Sequence, residues 1–260
     1  MNCPVSKSIP DAVREICLSF PQAQELSSHG KPDFRVEGKS FAMFCINHHG
    51  DMRVGLWLHS PPGVQKLHTQ LNPDAYFVPP YVGPRGWLGV DVNKGLDWNE
   101  VAKRVREAYE HVAPATLASS LGETIRIAPP GEVMPPEEIN PMLAKQPQEV
   151  LAQLAHRCGQ FPETSEGEQF GSPVWRAGKK TFVCAHHRSG HLQLQFWVGV
   201  EQQSMLTADP RYSIPPYVGH NGWIDLNIEK QINWNEVDSL LEVSYRHFAL
   251  KRMLKTLDGV

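Results

Sequence analysis

Two loops in this chain hold the residue types from which a recognition site is built, and they are near copies of each other. Pro79-Pro80-Tyr81-Val82-Gly83 is followed by Gly86-Trp87, and Pro215-Pro216-Tyr217-Val218-Gly219 by Gly222-Trp223. Tandem prolines keep a backbone extended, glycines reach positive φ, and tyrosine and tryptophan offer flat amphipathic surface. Such a loop can stack on a planar ligand or a base, which makes Tyr81, Arg85, Trp87, Tyr217, His220, Asn221 and Trp223 candidate ligand-facing positions. The same spacing suits a rigid turn whose tryptophan plugs a core. On that reading Trp87 and Trp223 are buried while Tyr81 and Tyr217 stay exposed. Pro84-Arg85 in one loop is His220-Asn221 in the other, so the two need not bind the same thing.

Arg35 with Lys39, and Arg176 with Lys180, fall in short strand-like segments. An exposed Arg–Lys pair on a sheet suits a phosphate or carboxylate, and equally an acidic residue on the adjacent strand. Histidines pair at His48-His49 and His186-His187, with His191 beyond, both pairs near a hairpin tip. Adjacent strand residues face opposite ways, and no neighbouring Cys or acid set completes a metal site, so no metal ligand is assigned. His111 and His247 sit near helix C-termini, where the dipole favours an imidazolium. No nucleophile elbow, phosphate-cradling glycine loop, His-Glu-x-x-His or dinucleotide fingerprint occurs. The expectation is a non-enzymatic binding protein with no catalytic residues and no cofactor.

The repetition extends well beyond the loops. Trp98-Asn99-Glu100-Val101 recurs as Trp234-Asn235-Glu236-Val237, and Phe20-Pro21 as Phe161-Pro162. A period of roughly 140 residues is a whole small domain rather than a solenoid unit. Each copy opens with an amphipathic helix carrying Cys17 or Cys158, which Pro21 or Pro162 is expected to end. Hairpin strands follow, then a short helix, the loop, a last strand from Trp87 or Trp223, and a long helix capped by Asp97 or Asn233. Without βαβ alternation this predicts an α+β fold: two tandem repeats, each an antiparallel sheet with helices packed on one face. The expected domains are 1–121 and 142–260, joined by a proline-rich linker at 122–141. Together they form an intramolecular pseudo-dimer.

Two such domains fit within 260 residues, and the net charge of −3 supplies no global basic excess for phosphate contacts. Five scattered cysteines without a C-x-x-C pair argue against a disulfide scaffold or zinc ribbon. The opening residues lack a signal peptide's apolar run, and no stretch is long and apolar enough to span a bilayer. These features point to a cytoplasmic protein without a membrane partner.

Gly30-x-Pro32-x-Phe34-Arg35, Lys39-x-Phe41, Tyr81-x-Gly83-x-x-Gly86-Trp87, Asp97-Trp98-x-Glu100 and Tyr109 form a pattern that resembles the MmcQ/YjbR family of small bacterial proteins. Gly171, Pro173, Trp175, Arg176, Lys180, Phe182, Tyr217, Gly219, Gly222, Trp223, Trp234, Glu236 and Ser244-Tyr245-Arg246 repeat it. The resemblance implies a frataxin-like, or double-wing, domain and a DNA-binding role. Lys103, Arg104 and Arg106, with Arg246, Lys251, Arg252 and Lys255, would be the basic residues on the final helices that meet DNA. The family's strand-end lysine is missing, since the chain reads Leu58-His59-Ser60 and Val198-Gly199-Val200 there. Three functions therefore compete: DNA binding, capture of a small aromatic ligand or peptide in a Tyr/Trp-lined cleft between the repeats, and a metal-linked enzyme or carrier using the histidines.

Overall fold

A computed structural model describes residues 7–188 and 190–259. Cys3 and the opening segment on which the signal-peptide reading rests lie outside them. In the first unit, α1 (Ile9–Leu18) starts at Ser8, whose hydroxyl accepts the Asp11 amide. Strands β1 (Gln24–Ser28), β2 (Lys31–Val36), β3 (Lys39–Ile46) and β4 (Val54–Leu58) follow. Then come α2 (Val64–Leu71), β5 (Tyr76–Phe77), β6 (Leu88–Asp91), α3 (Trp98–Val112), α4 (Ala115–Ala118) and α5 (Pro136–Ile139). The second unit runs α6 (Lys145–Cys158), β7 (Thr164–Gln169), β8 (Ser172–Ala177), β9 (Lys180–Arg188), β10 (His191–Trp197), α7 (Val200–Leu206), β11 (Tyr212–Ser213), β12 (Trp223–Asn227), α8 (Trp234–Phe248) and α9 (Lys251–Asp258). Each unit holds one antiparallel six-stranded sheet, ordered β1-β2-β3-β4-β6-β5 and β7-β8-β9-β10-β12-β11. The α+β architecture expected from the sequence is therefore present twice.

One face of each sheet meets the helices. Ile16 and Cys17 of α1 and Val105, Ala108 and Tyr109 of α3 bury against Phe34, Phe41, Leu56, Leu58 and Leu88. The second unit packs Leu154 and Cys158 of α6 and Leu241 and Tyr245 of α8 against Trp175, Phe182, Leu194 and Phe196. The opposite face of the first sheet carries a small apolar cluster of Cys45, Trp57, Phe77, Val82 and Trp87. Glycines make room for it, because a Cβ on Gly89 would lie 2.5 Å from the Phe77 ring.

Three features differ from expectation. α1 and α6 end about a turn ahead of Pro21 and Pro162, which sit in the following turn. The edge strands β1 (QELSS) and β7 (TSEGEQ) escaped the sequence reading because they are polar and mostly exposed, with no period-2 apolar signal. The compact units divide between Ile139 and Asn140. Most of the proline-rich segment 122–141 thus falls within the first unit, where Ile127 and Ile139 are buried in the core and Asn93 exchanges two hydrogen bonds with the Met134 backbone. Sparse apolar residues among prolines are enough to dock an extended chain.

Gly86 and Gly222 occupy equivalent turns at φ +85° and +87°, yet only Gly222 has backbone close by, with Gly199 Cα 2.7 Å from where a Cβ would stand. Gly86→Ala should cost only the left-handed penalty, about 1–2 kcal/mol. Gly222→Ala should cost about 1–3 kcal/mol more for overpacking. Chemical denaturation of the two variants, side by side, checks the difference.

Candidate functional site

Steric contacts and one glutamine hold each loop. At Gly83 a Cβ would meet Val78 Cγ1 at 2.4 Å, and at Gly219 it would meet Ile214 Cγ2 at 2.3 Å. Gln65 of α2 donates its amide to the Gly83 and Trp87 carbonyls at 2.8 and 2.6 Å, and Gln203 of α7 does the same to Gly219 and Trp223. Besides Gly86 and Gly222, the tyrosine of each loop is itself left-handed. Tyr81 has φ +65° and Tyr217 φ +67°, and they are 69% and 82% exposed. A bulky residue in that region is strained, and the clamp on both sides of the turn holds it there.

In the first unit this loop closes over a shallow cavity of about 480 Å³. A register shift between Phe34 and Arg35 sets Arg35 opposite Ser40 on the outer sheet face. There Asp33, 1% exposed, accepts from Arg35 Nε at 2.7 Å and from Ser40 Oγ at 2.5 Å. Lys39 from the start of β3 and Arg85 from the loop join the rim. The floor is aromatic: His59 stacks on Trp87 at 5.0 Å between ring centroids and meets the edge of His111 at 5.2 Å. Burial, the neighbouring His111 and Arg85 together push the His59 pKa below its ordinary value, the hydrogen bond involving the Ser40 backbone opposing them. Near neutral pH His59 and Trp87 thus present uncharged aromatic surface beneath three cations and one carboxylate.

The second unit carries different residues at the corresponding place. β4 and β10 superpose in register against β3 and β9, so Trp197 follows Phe196 as His59 follows Leu58. Trp197 stacks on His247 at 3.4 Å and donates its indole N–H to the Asn221 carbonyl at 2.8 Å. Trp223 is only half-buried, stacked on Phe248 at 5.6 Å, and so is less of a plug than Trp87, which is 5% exposed. Arg176 turns away to the Glu168 carbonyl at 3.2 Å, over Gly167, and Lys180 and His220 are exposed. The residue at the place of Asp33 is Val174, which has no carboxylate to hold a guanidinium.

Arg35, Lys39, Arg85 and Trp87 therefore converge, whereas Tyr81 faces a different neighbour. His49 Nε2 and the Tyr81 hydroxyl are 2.9 Å apart, and His48 lies edge-on to Trp57 and beside Lys31. The two histidine pairs are not equivalent. His48 and His49 lie in a turn after β3, while His186 and His187 are within β9, because the first hairpin is longer. Among the described residues no group of three His, Cys, Asp or Glu side chains comes together as a metal site requires. His186 instead approaches the Gln193 side chain at 3.2 Å.

The basic residues of the final helices are largely committed. Arg104 pairs with Glu100 and Glu107, Arg106 with Glu110, Arg246 with Glu242 and Asp258, and Arg252 with Glu163. Lys103, Lys251 and Lys255 are exposed, with no ion pair among the described residues. His59 and His111 are site residues that sequence reasoning missed. His111 and His247 were visible near the ends of the long helices, but the ring that His111 meets, His59, comes just after the end of β4, far away in the chain.

A family model described as YjbR matches the chain twice, over residues 18–111 and 159–247. No curated protein matches it. One similar solved structure is that of Deinococcus radiodurans protein DR2400, family-model domain DUF419, with 17% identity, covering 49% of this chain and 100% of that one at a TM-score of 0.38. No helix among the described residues is long and apolar enough to cross a membrane.

Burial and the charge of Lys31 push the His48 pKa down to about 4. Between that value and the usual value of about 6.5 the unfolded chain takes up a proton that the native one refuses, so stability falls as pH drops through this window. His48→Gln should flatten the loss between pH 7 and pH 5 without raising stability at pH 8. Denaturant midpoints at the three pH values check this, and an NMR titration should place the His48 ring near pH 4.

Proposed function

The chain belongs to the YjbR family, and from that premise we propose that it is a non-enzymatic binding protein whose first unit captures a small ligand in the cavity between Trp87, His59 and the Arg35–Lys39–Arg85 rim. The supporting observation is the contrast between the copies. One scaffold holds an open cavity floored by His59, and the other holds Trp197 stacked on His247 at the same place. Open concave sites with an apolar wall and a few convergent polar groups are where small ligands bind. The free cysteines Cys17, Cys45 and Cys158 are buried, which supports a reducing, cytoplasmic setting.

DNA binding is the second reading, favoured by Lys103, Lys251 and Lys255, which are exposed and have no ion pair among the described residues. Against it, Arg104, Arg106, Arg246 and Arg252 are already neutralised by carboxylates, and the net charge is −3. Phosphate-driven affinity needs unspent cations whose counterions are released on binding.

His59→Trp puts the second unit's larger ring at the floor of the first unit's cavity. It should abolish binding of small aromatic acids seen by ligand-observed NMR while leaving the thermal melt within a few degrees of the parent. Undiminished binding in the variant would place the site elsewhere. A duplex shift that weakens steeply with salt, and that is lost in a Lys103, Lys251 and Lys255 triple glutamine variant, would replace this reading by the DNA one.

A further inference from the structure

We propose that the ligand of the first unit's cavity is a small planar molecule bearing a phosphate monoester; this rests on the reading of the cavity as the ligand site. The charge arrangement carries the inference. Asp33 is buried and accepts from Arg35 through Nε and from Ser40 through its hydroxyl. That contact fixes the plane of the guanidinium and leaves Nη1 and Nη2 without a hydrogen-bond partner among the described residues. A guanidinium held by one edge presents its remaining N–H groups as a fork for two oxygens of one anion.

Lys39 and Arg85 line the same cavity from β3 and from the loop, and neither has an ion pair among the described residues. Elsewhere in the chain arginines are routinely matched to carboxylates, as Arg14 is to Glu25 and Arg211 to Asp209 and Glu236. Three cations against one inward-committed carboxylate leave two positive charges to be met by the ligand. A carboxylate supplies one negative charge and two oxygens. A phosphate monoester supplies close to two charges and three terminal oxygens near neutral pH. The rest of the cavity suits a flat apolar body, with the Trp87–His59 stack as floor and Met43 and Val82 beside it. Because burial keeps His59 largely neutral, it offers the ring surface rather than a fourth charge.

The test is calorimetry on the full chain near pH 7.5, above the second phosphate pKa of about 6, with phenyl phosphate, benzoate, phenol and inorganic phosphate. Phenyl phosphate should bind about tenfold or more tighter than benzoate, the increment expected of one further charge-assisted contact. Arg85→Gln and Lys39→Gln should each weaken phenyl phosphate by about tenfold and leave phenol unchanged. Both side chains are exposed, and an unaltered thermal melt would show that the variants are folded. Benzoate or phenol binding as tightly as phenyl phosphate overturns the phosphate assignment and leaves the cavity as the ligand site. Inorganic phosphate binding as tightly as phenyl phosphate overturns the planar body. Binding of no probe at all, or equal binding by His59→Trp, overturns the site itself.

Discussion

The hydroxyl of Tyr109 donates to the Pro21 carbonyl at 2.7 Å, tying the last turns of α3 to the Phe-Pro step that follows α1. Its ring lies flat on Phe20 at 4.8 Å and meets the edge of Phe41 at 5.4 Å, so one side chain joins two helices and the central strand. Tyr245 repeats the arrangement with Pro162, Phe161 and Phe182. A buried aromatic with a satisfied hydroxyl has one orientation available to it, and this fixes the rotation of α3 and α8 about their axes. Two residues further on, the helix surface must then present His111 to His59, and His247 to Trp197. The site geometry is a consequence of the core.

On that shared scaffold the outer sheet faces have diverged as coupled sets. The first unit combines bulky Trp57 and Phe77 with Gly55 and Gly89, whose missing side chains the rings overlie. At the paired positions the second unit has Gln195 and Ser213 with Gln193 and Asp225. There Asp225, 1% exposed, accepts from Gln195 at 2.7 Å and from Arg188 at 3.0 Å. Neither solution tolerates half of the other, because a side chain at Gly89 would strike Phe77 and an apolar partner would leave Asp225 buried and unpaired. The first unit's apolar outer layer carries Trp87 and so forms the wall of the cavity, whereas the second unit's layer is spent on its own hydrogen bonds.

Charge is distributed in the same unequal way. The arginines on the long helices and at the chain's end are bound by carboxylates one turn away or on an adjoining element, a pattern that keeps a helix surface soluble rather than adhesive. Around the cavity the balance reverses, with cations outnumbering the single carboxylate. A sum over the chain cannot register this, since a net charge of −3 is compatible with a locally positive site.

The duplication, the α+β architecture and the helix caps at Asp97 and Asn233 were all legible in the sequence, because they rest on local patterns: spacing, apolar period and turn chemistry. So was the Pro-Pro-Tyr-Val-Gly loop, down to the contrast of buried Trp87 with exposed Tyr81. The polar edge strands were not, since their pairing is supplied by neighbours rather than by their own residues. The docking of residues 122–139 onto the first core, and the gathering of Arg35, Lys39, Arg85, His59 and His111 around one cavity, depend on contacts between residues far apart in the chain. That Trp197 stands in the second unit where His59 stands in the first, each against the histidine of its long helix, follows from register and helix rotation together, and only the folded chain sets both.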